Sequence, residues 1–530
     1  LLVLALSRGA EPAPAARLLS PSEAIIFAAA DAAAMPAYDA KQTRWLFIPN
    51  VPVKDRPTWR DVLNGHCNSL SKEPGLEQLR PLKDSGGMMF ALRLDWYGWT
   101  FEQWEKFATS DYTFSSIVVS EAQATKQVIT EEIEHWPGGV DKDGKFWAAG
   151  DYRVQKISVV PDGKKTVTKT RAFAPWLARD AASKAAVTQL GLLTGSQAPV
   201  VNASVFFDNT ASSGDGRDPG YYGMLGVKNQ TDWLKLVGVK DVKDSADFSG
   251  DLLAAVGQSG VTQEARVIQR LDKIGGAVWS SFDVNRGEAK DQKDPLAIIG
   301  STDGKPALEF DATEKIAHLP SGMMVYLLAN SKGVLQDRAP DTIAHDATPI
   351  LRNRHQVMIG VSCVRCHNDG ALQDLTDWWR NFPPELNPLF GDREGKKYDP
   401  DDYRRLRRSY VRKLEPFLKG DRDRYAAALK EACGLEPKAY AESYSAVWAY
   451  SADAQVDIAY AVRELGCTEA AFTASIRQQV ALGKAHPTLA QFLLPDPKPP
   501  APPRRIAISL TAWRSVYSLA QSYLAEAPVK

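Results

Sequence analysis

The chain has 530 residues, 44% of them apolar and 24% charged. That balance belongs to folded protein and excludes disordered, collagen-like and coiled-coil chains; at about 150 residues per domain the length accommodates roughly three domains. Lys and Arg number 64 and so do Asp and Glu, so the formal net charge is zero, which argues against a chain-wide nucleic-acid binder, a class that is usually basic. No stretch reaches the roughly 18 uninterrupted apolar residues that a membrane span requires.

The chain opens Leu1-Leu2-Val3-Leu4-Ala5-Leu6, followed by an Ala/Pro-rich run to Ala16. An apolar core followed by small residues is the pattern of a signal-peptide remnant, and residues 1–19 are expected to be such a leader on an exported, periplasmic protein. Ser20-Pro21-Ser22-Glu23 follows as a helix start, with a capping serine, a first-turn proline and a glutamate able to bond back to the cap. Residues 58–71 have helical spacing. Phe90, Leu92, Leu94 and Trp96 alternate with Ala91, Arg93, Asp95 and Tyr97, the period of a half-buried strand. Thr100-Phe101-Glu102-Gln103 is a second capping box, opening a helix through Trp104 and Phe107. Tyr152–Val160 and Thr166–Thr170 flank Pro161-Asp162-Gly163 and predict a hairpin. Residues 208–220, rich in Asp, Ser and Gly, predict a loop. Short apolar runs between Ala265 and Ala329 predict strands.

Beyond residue 370 the pattern turns helical, almost throughout 399–485. Asp399-Pro400-Asp401-Asp402 is a strong helix start. Six of the nine residues from Pro495 to Pro503 are proline, a stiff linker, and a last helix from about Thr511 puts Trp513, Val516, Tyr517, Ala520 and Leu524 on one face. The expected class is α+β. The expected organisation is an α+β region at 20–200, a second at 201–345, a segment carrying the cysteine motif at 346–390, a helical region at 391–494, the Pro-rich linker at 495–505 and a C-terminal helix at 506–530.

Chemistry concentrates at one place. Of five cysteines, Cys363 and Cys366 fall in Cys363-Val364-Arg365-Cys366-His367, the pattern of c-type haem attachment. Two thiols three positions apart on one helical turn can each add to a haem vinyl group, and the histidine that follows is held under the iron. A zinc site needs four ligands, usually from two such pairs, and Cys433 and Cys467 lie far from the motif and from each other. A thioredoxin-like dithiol is expected beside a βαβ unit, which the pattern lacks. One motif implies one haem. No G-x-S-x-G, P-loop or H-E-x-x-H occurs.

Around this motif the chain resembles large single-haem bacterial c-type cytochromes. The resemblance is carried by Asn64 to Leu70, Leu92-Arg93-Leu94-Asp95-Trp96-Tyr97-Gly98-Trp99, Val278-Trp279-Ser280-Ser281-Phe282-Asp283, Leu319-Pro320-Ser321-Gly322-Met323-Met324-Val325-Tyr326 and Gly360-Val361-Ser362-Cys363-Val364-Arg365-Cys366-His367. It covers about two-thirds of the chain, implies covalent haem and export, and supplies no reaction.

The second axial ligand is less legible. No Met follows His367, and the one later His is His486, a departure from small c-type cytochromes. Met323 or Met324 is the preferred distal candidate, since about 40 residues of chain give ample reach; His318 and His345 are alternatives, and His355 and Met358 would have to double back. A vacant position would favour ligand binding or peroxide chemistry. Cys433 and Cys467 either pair as a disulfide or stay as thiols, and Cys67 is expected to be buried. Arg404, Arg405, Arg407, Arg408, Arg412 and Lys413 form a basic helix face, either solvated or docking an acidic redox partner protein. The expected function is one-electron transfer by an exported cytochrome with one haem c iron on Cys363, Cys366 and His367. The alternatives are a peroxidase-like haem enzyme and a haem-bearing structural subunit of a larger redox complex.

Overall fold

A computed structural model describes residues 19–106, 114–121, 127–136, 139–140, 146–147, 150–159, 165–172, 181–196, 198–214, 217, 219–239, 252–256, 266–284, 299–302, 305–308, 310–340, 344–346, 355–370, 372, 413–494 and 507–526. Residues 1–18 of the leader, the helix start at Asp399, the arginines from Arg404 to Arg412 and the Pro-rich linker lie outside these, while Leu19, the expected last leader residue, is buried in the core. The described residues form both helices and sheets, and the fold is α+β.

The first helix, Pro21–Ala33, starts where the capping box places it: Ser20 Oγ accepts from Glu23 N (3.2 Å), and Ser20 N donates to Glu23 Oε2 (2.8 Å). It precedes a four-stranded sheet ordered Val200–Asn202, Thr43–Phe47, Met89–Arg93, Arg80–Pro81. Val200–Asn202 runs parallel to Thr43–Phe47 and the other pairs are antiparallel. Met89–Arg93 is not half-buried as its alternation suggests. Ala91 is as buried as Phe90 and Leu92, because protein covers both faces of the strand, and a 3-10 turn, Asp95–Tyr97, ends it early. Helix Arg56–Ser69 matches the spacing of 58–71, and the Thr100 capping box opens helix Phe101–Glu105; Phe107 lies outside the described residues.

Two further expectations need correction. The runs around Tyr152 and Thr166 are strands, Gly150–Val159 and Lys165–Ala172, but they do not form a two-stranded hairpin with each other. Gly150–Val159 pairs with Gln127–Trp136, and Lys165–Ala172 pairs with Phe114–Glu121. Local turn chemistry marks where strands stop and does not choose their partners. Asp208 is also not in a loop: helix Ala203–Ala211 takes in the start of that segment, capped by Asn202.

The central sheet has five antiparallel strands in spatial order Leu252–Val256, Arg266–Lys273, Gly276–Val284, Phe310–His318 and Met324–Asn330. The two-residue period puts Arg270, Trp279, Glu314, Ile316, His318, Met324 and Tyr326 on one face. Helix Glu415–Cys433 is joined to that face through the buried Asp421. The Asp421 carboxylate accepts from Arg270 Nε (2.9 Å) and Nη2 (3.0 Å) and from Trp279 Nε1 (2.8 Å), and its carbonyl accepts from His318 Nε2 (3.1 Å).

One apolar cluster runs from Leu19 to Trp448, and a second is built mainly on helices Ile458–Leu465, Glu469–Ala481 and Leu510–Glu526. In the second, Phe472, Phe492, Trp513 and Tyr517 pack edge to face, with Trp513, Val516, Tyr517 and Ala520 inward as their spacing predicts. Polar bonds tie the two together. Glu464 accepts from Trp513 Nε1 (2.8 Å) and Asn202 Nδ2 (3.1 Å), and Asp208 bridges Arg217 and Arg514.

Burial pushes the Glu464 carboxyl up to about 7, against opposing pulls from Trp513 and Arg514. The folded chain therefore keeps a proton that the unfolded chain gives up from about pH 4.5, so stability falls as pH rises to about 7 and levels off above it. Glu464→Gln is expected to remove most of this loss, roughly 3 kcal/mol at pH 8 and little at pH 4.5. Urea midpoints of the two proteins across that range check it, and equal pH profiles would rule it out.

Candidate functional site

The cysteine motif sits on a six-residue helix, Val361–Cys366, entered through Gly360 at φ 77°. Only glycine suits this position: the φ is left-handed, and a Cβ would overlap the Ala211 carbonyl oxygen. Ser362 Oγ accepts from Met358 N (3.0 Å), Val364 N donates to Gly360 O (2.9 Å), and His367 N donates to Cys363 O (2.8 Å). That last bond holds the histidine one residue past the helix. Gly370, at φ 82°, then turns the chain where a Cβ would meet the Tyr425 ring.

The three-residue spacing puts both thiols on one side of the helix. Cys363 is buried and Cys366 is half-buried. His367 Nε2 lies 3.3 Å from Glu314 Oε1 on the central sheet, and its ring stacks on Tyr326 (centroids 6.1 Å, 27°). Glu314 Oε2 lies 3.4 Å from Arg266 Nη1, and Arg266 Nε is 2.6 Å from Asp283 Oδ1 as a charge contact rather than an aligned hydrogen bond. Burial alone would raise the Glu314 carboxyl; His367 and Arg266 outweigh it and hold it down at about 2. Both thiols lie within the field of this carboxylate. Burial pushes Cys363 well above the usual thiol range and Cys366 up to about 11.

On the outer side, Arg365 pairs with Asp346 and its Nη2 lies 3.9 Å from Cys366 Sγ. His355 Nδ1 donates to Asp346 O (2.8 Å), and the exposed rings of His345 and His355 stack at 4.6 Å and 10°.

On the inner side, behind Cys363, lies a cluster of buried tyrosines that no motif announces: Tyr221, Tyr326, Tyr425, Tyr440 and Tyr444. Tyr221 Oη accepts from Tyr326 N (2.9 Å). Tyr444 meets His66 Nδ1 (3.2 Å), and His66 Nε2 meets Thr210 Oγ1 (2.7 Å), which donates to Phe206 O (2.7 Å). Since Thr210 spends its proton on that carbonyl, it accepts from His66 Nε2–H, and Nδ1 accepts from Tyr444. Burial pushes His66 down to about 3 and keeps it neutral. The hydroxyls of Tyr326 and Tyr440 are buried with no hydrogen-bond partner among the described residues. Helix packing admits this cluster because Gly65 has no Cβ, which would strike the Tyr440 ring.

Of the sequence candidates, Cys363 and Cys366 lie on one helix and His367 follows it directly. Met323 lies in the hairpin turn before strand Met324–Asn330; Met324 opens that strand opposite His318, and both methionines are buried. His318 has both ring nitrogens engaged, Nδ1 accepting from Ala277 N (3.3 Å) and Nε2 donating to Asp421 O. Cys67 is buried as expected, Cys433 and Cys467 are not joined, and Cys433 Sγ donates to Leu429 O (3.2 Å). Glu314 escaped the sequence reading; its one available signal was a charge among the strand residues of Phe310–His318. Among the described residues no group of three or more His, Cys, Asp or Glu side chains is placed to hold a metal ion, and no helix is long and apolar enough to cross a membrane.

Tyr444→Phe preserves the ring packing but leaves His66 Nδ1 without its donor. It is expected to cost about 1–3 kcal/mol, read as a lowered denaturant midpoint with unchanged circular dichroism.

Compared with models of known families, with curated proteins and with solved structures, the chain matches none.

Proposed function

We propose that the chain is an exported c-type cytochrome that binds one haem covalently and transfers single electrons, with a redox protein as its partner. What supports this is the Cys363-Val364-Arg365-Cys366-His367 run itself, carried on one short helix with Cys363 buried, Cys366 half-buried and His367 held directly after it by its amide bond to Cys363 O. In this reading Cys363, on the buried side, and Cys366, toward solvent, would hold the porphyrin through thioethers, and His367 would bind the iron. The haem supplies an iron that cycles between Fe(II) and Fe(III).

The surroundings fit such a group. Tyr221, Tyr326 and Tyr444 next to Cys363 offer a dry, aromatic wall. The unpaired hydroxyls of Tyr326 and Tyr440 favour a bound group with polar substituents, since a buried donor without an acceptor costs about 1–3 kcal/mol. Dithiol redox chemistry is disfavoured: it needs a thiol whose pKa is lowered, and both thiols are pushed up.

Haem as a relay in a larger assembly has no observation of its own here.

Protein purified from its native compartment is expected to be red and, under denaturing conditions, to carry the extra mass of one tetrapyrrole. Cys363→Ser with Cys366→Ser is expected to abolish that covalent mass. A colourless protein with the bare chain mass sinks the proposal.

A further inference from the structure

We propose that Tyr444 is a redox-active tyrosine, giving one electron to an external one-electron oxidant while its phenolic proton passes to His66. The proposal goes beyond the haem reading and stands without it. Its ground is the line Tyr444–His66–Thr210–Phe206, buried from end to end. Tyr444 Oη donates to His66 Nδ1 (3.2 Å), His66 Nε2 donates to Thr210 Oγ1 (2.7 Å), and Thr210 donates to Phe206 O (2.7 Å).

Taking an electron from a buried phenol leaves a positive charge in a medium that solvates it poorly. A base within hydrogen-bond reach removes that obstacle, because an oxidised phenol is a far stronger acid than the phenol itself. In the step, the Tyr444 Oη–H bond breaks and an N–H bond forms at His66 Nδ1. The electron leaves to the oxidant, which is reduced by one unit. The products are a neutral tyrosyl radical and a His66 imidazolium; one returning electron, with the same proton, restores the start. The surroundings receive that imidazolium. Its Nε2–H already points along the Thr210–Phe206 line, and the Phe207 and Phe206 rings flank it at 4.7 and 5.9 Å. At rest, burial holds His66 down at about 3 and Tyr444 well above the usual phenol range, so the proton stays on the tyrosine until the electron leaves.

The neighbours concentrate the hole at Tyr444. Tyr440, Tyr444 and Trp448 recur at four-residue spacing on helix Pro437–Asp453, about 6 Å apart along its axis. The Tyr440 and Tyr444 rings are 5.6 Å apart, but the Tyr440 hydroxyl has no acceptor among the described residues. Trp448 lies under the Arg217 guanidinium (5.2 Å), whose charge opposes a positive hole there. Of the five clustered tyrosines, Tyr444 is the one with an imidazole at its hydroxyl among the described residues.

The test uses the full-length protein as purified, with any attached haem kept ferric. A photo-excited ruthenium polypyridyl complex with a sacrificial acceptor serves as the oxidant. Radicals are followed by electron paramagnetic resonance and transient absorption in wild type, Tyr444→Phe, Tyr425→Phe and His66→Gln. Glutamine can keep both hydrogen bonds of His66, accepting from Tyr444 and donating to Thr210, but it is no base. A histidine with a purely structural role would be replaced without effect on the rate. The expected result is a long-lived tyrosyl radical in wild type and Tyr425→Phe that is absent from Tyr444→Phe. Its formation is slowed at least about a hundredfold in His66→Gln, the usual worth of a positioned base. A wild type without a lasting tyrosyl radical overturns the proposal, as does an equal radical in Tyr444→Phe or an equally fast one in His66→Gln. If a variant does not fold, electron–nuclear double resonance of the wild-type radical after exchange into heavy water decides. A deuteron hydrogen-bonded to the radical oxygen supports the proposal, and none there overturns it.

Discussion

Asp421 holds the site's scaffold together. Its carboxylate is shut away from solvent, and an unpaired charge in that position would cost several kcal/mol. It persists because Arg270 grips it with two nitrogens and Trp279 with a third, while its backbone oxygen fixes His318. Three strands of the central sheet are thereby locked to helix Glu415–Cys433, which comes from a stretch of sequence about 100 residues beyond the last of them. Glu314 and Tyr326 lie on the same sheet face, and Tyr425 on that helix backs the Gly370 turn. A buried ion pair is weak evidence for net stability but strong evidence for a fixed arrangement once made, because neither partner can be left alone.

The same logic governs the interior around Cys363. The Tyr444–His66–Thr210–Phe206 line has one consistent direction of donation, from phenol to carbonyl, and it joins helices Pro437–Asp453, Arg56–Ser69 and Ala203–Ala211. Each buried group in that line is satisfied. The hydroxyls of Tyr326 and Tyr440, in the same cluster, are not. Polar groups rarely stay buried and unpaired, so this contrast separates the part of the cluster whose hydrogen bonds are complete from the part whose are not.

The motif helix is short, and its position owes little to helix propensity. Gly360 lets the chain pass against Ala211, Gly370 lets it turn against Tyr425, and the His367 amide is tied to Cys363 O. The motif is thus held at both ends by close backbone approaches that only glycine permits. The carboxylate field of Glu314 and the burial of both thiols act in the same direction, disfavouring a thiolate at either cysteine.

Sequence alone determined what depends on neighbours along the chain. The Ser20 and Thr100 caps, the helix at 58–71, the strands between 265 and 329 and the inward face of the last helix all follow from spacing within a few residues. Only the tertiary structure decided what depends on residues far apart in sequence. It gave the strands around Tyr152 and Thr166 their partners, covered both faces of Met89–Arg93, put Glu314 on His367 and gathered five tyrosines behind Cys363. Periodicity states which face of an element is apolar, but packing energy over the whole chain selects what meets that face, and no local pattern encodes that choice.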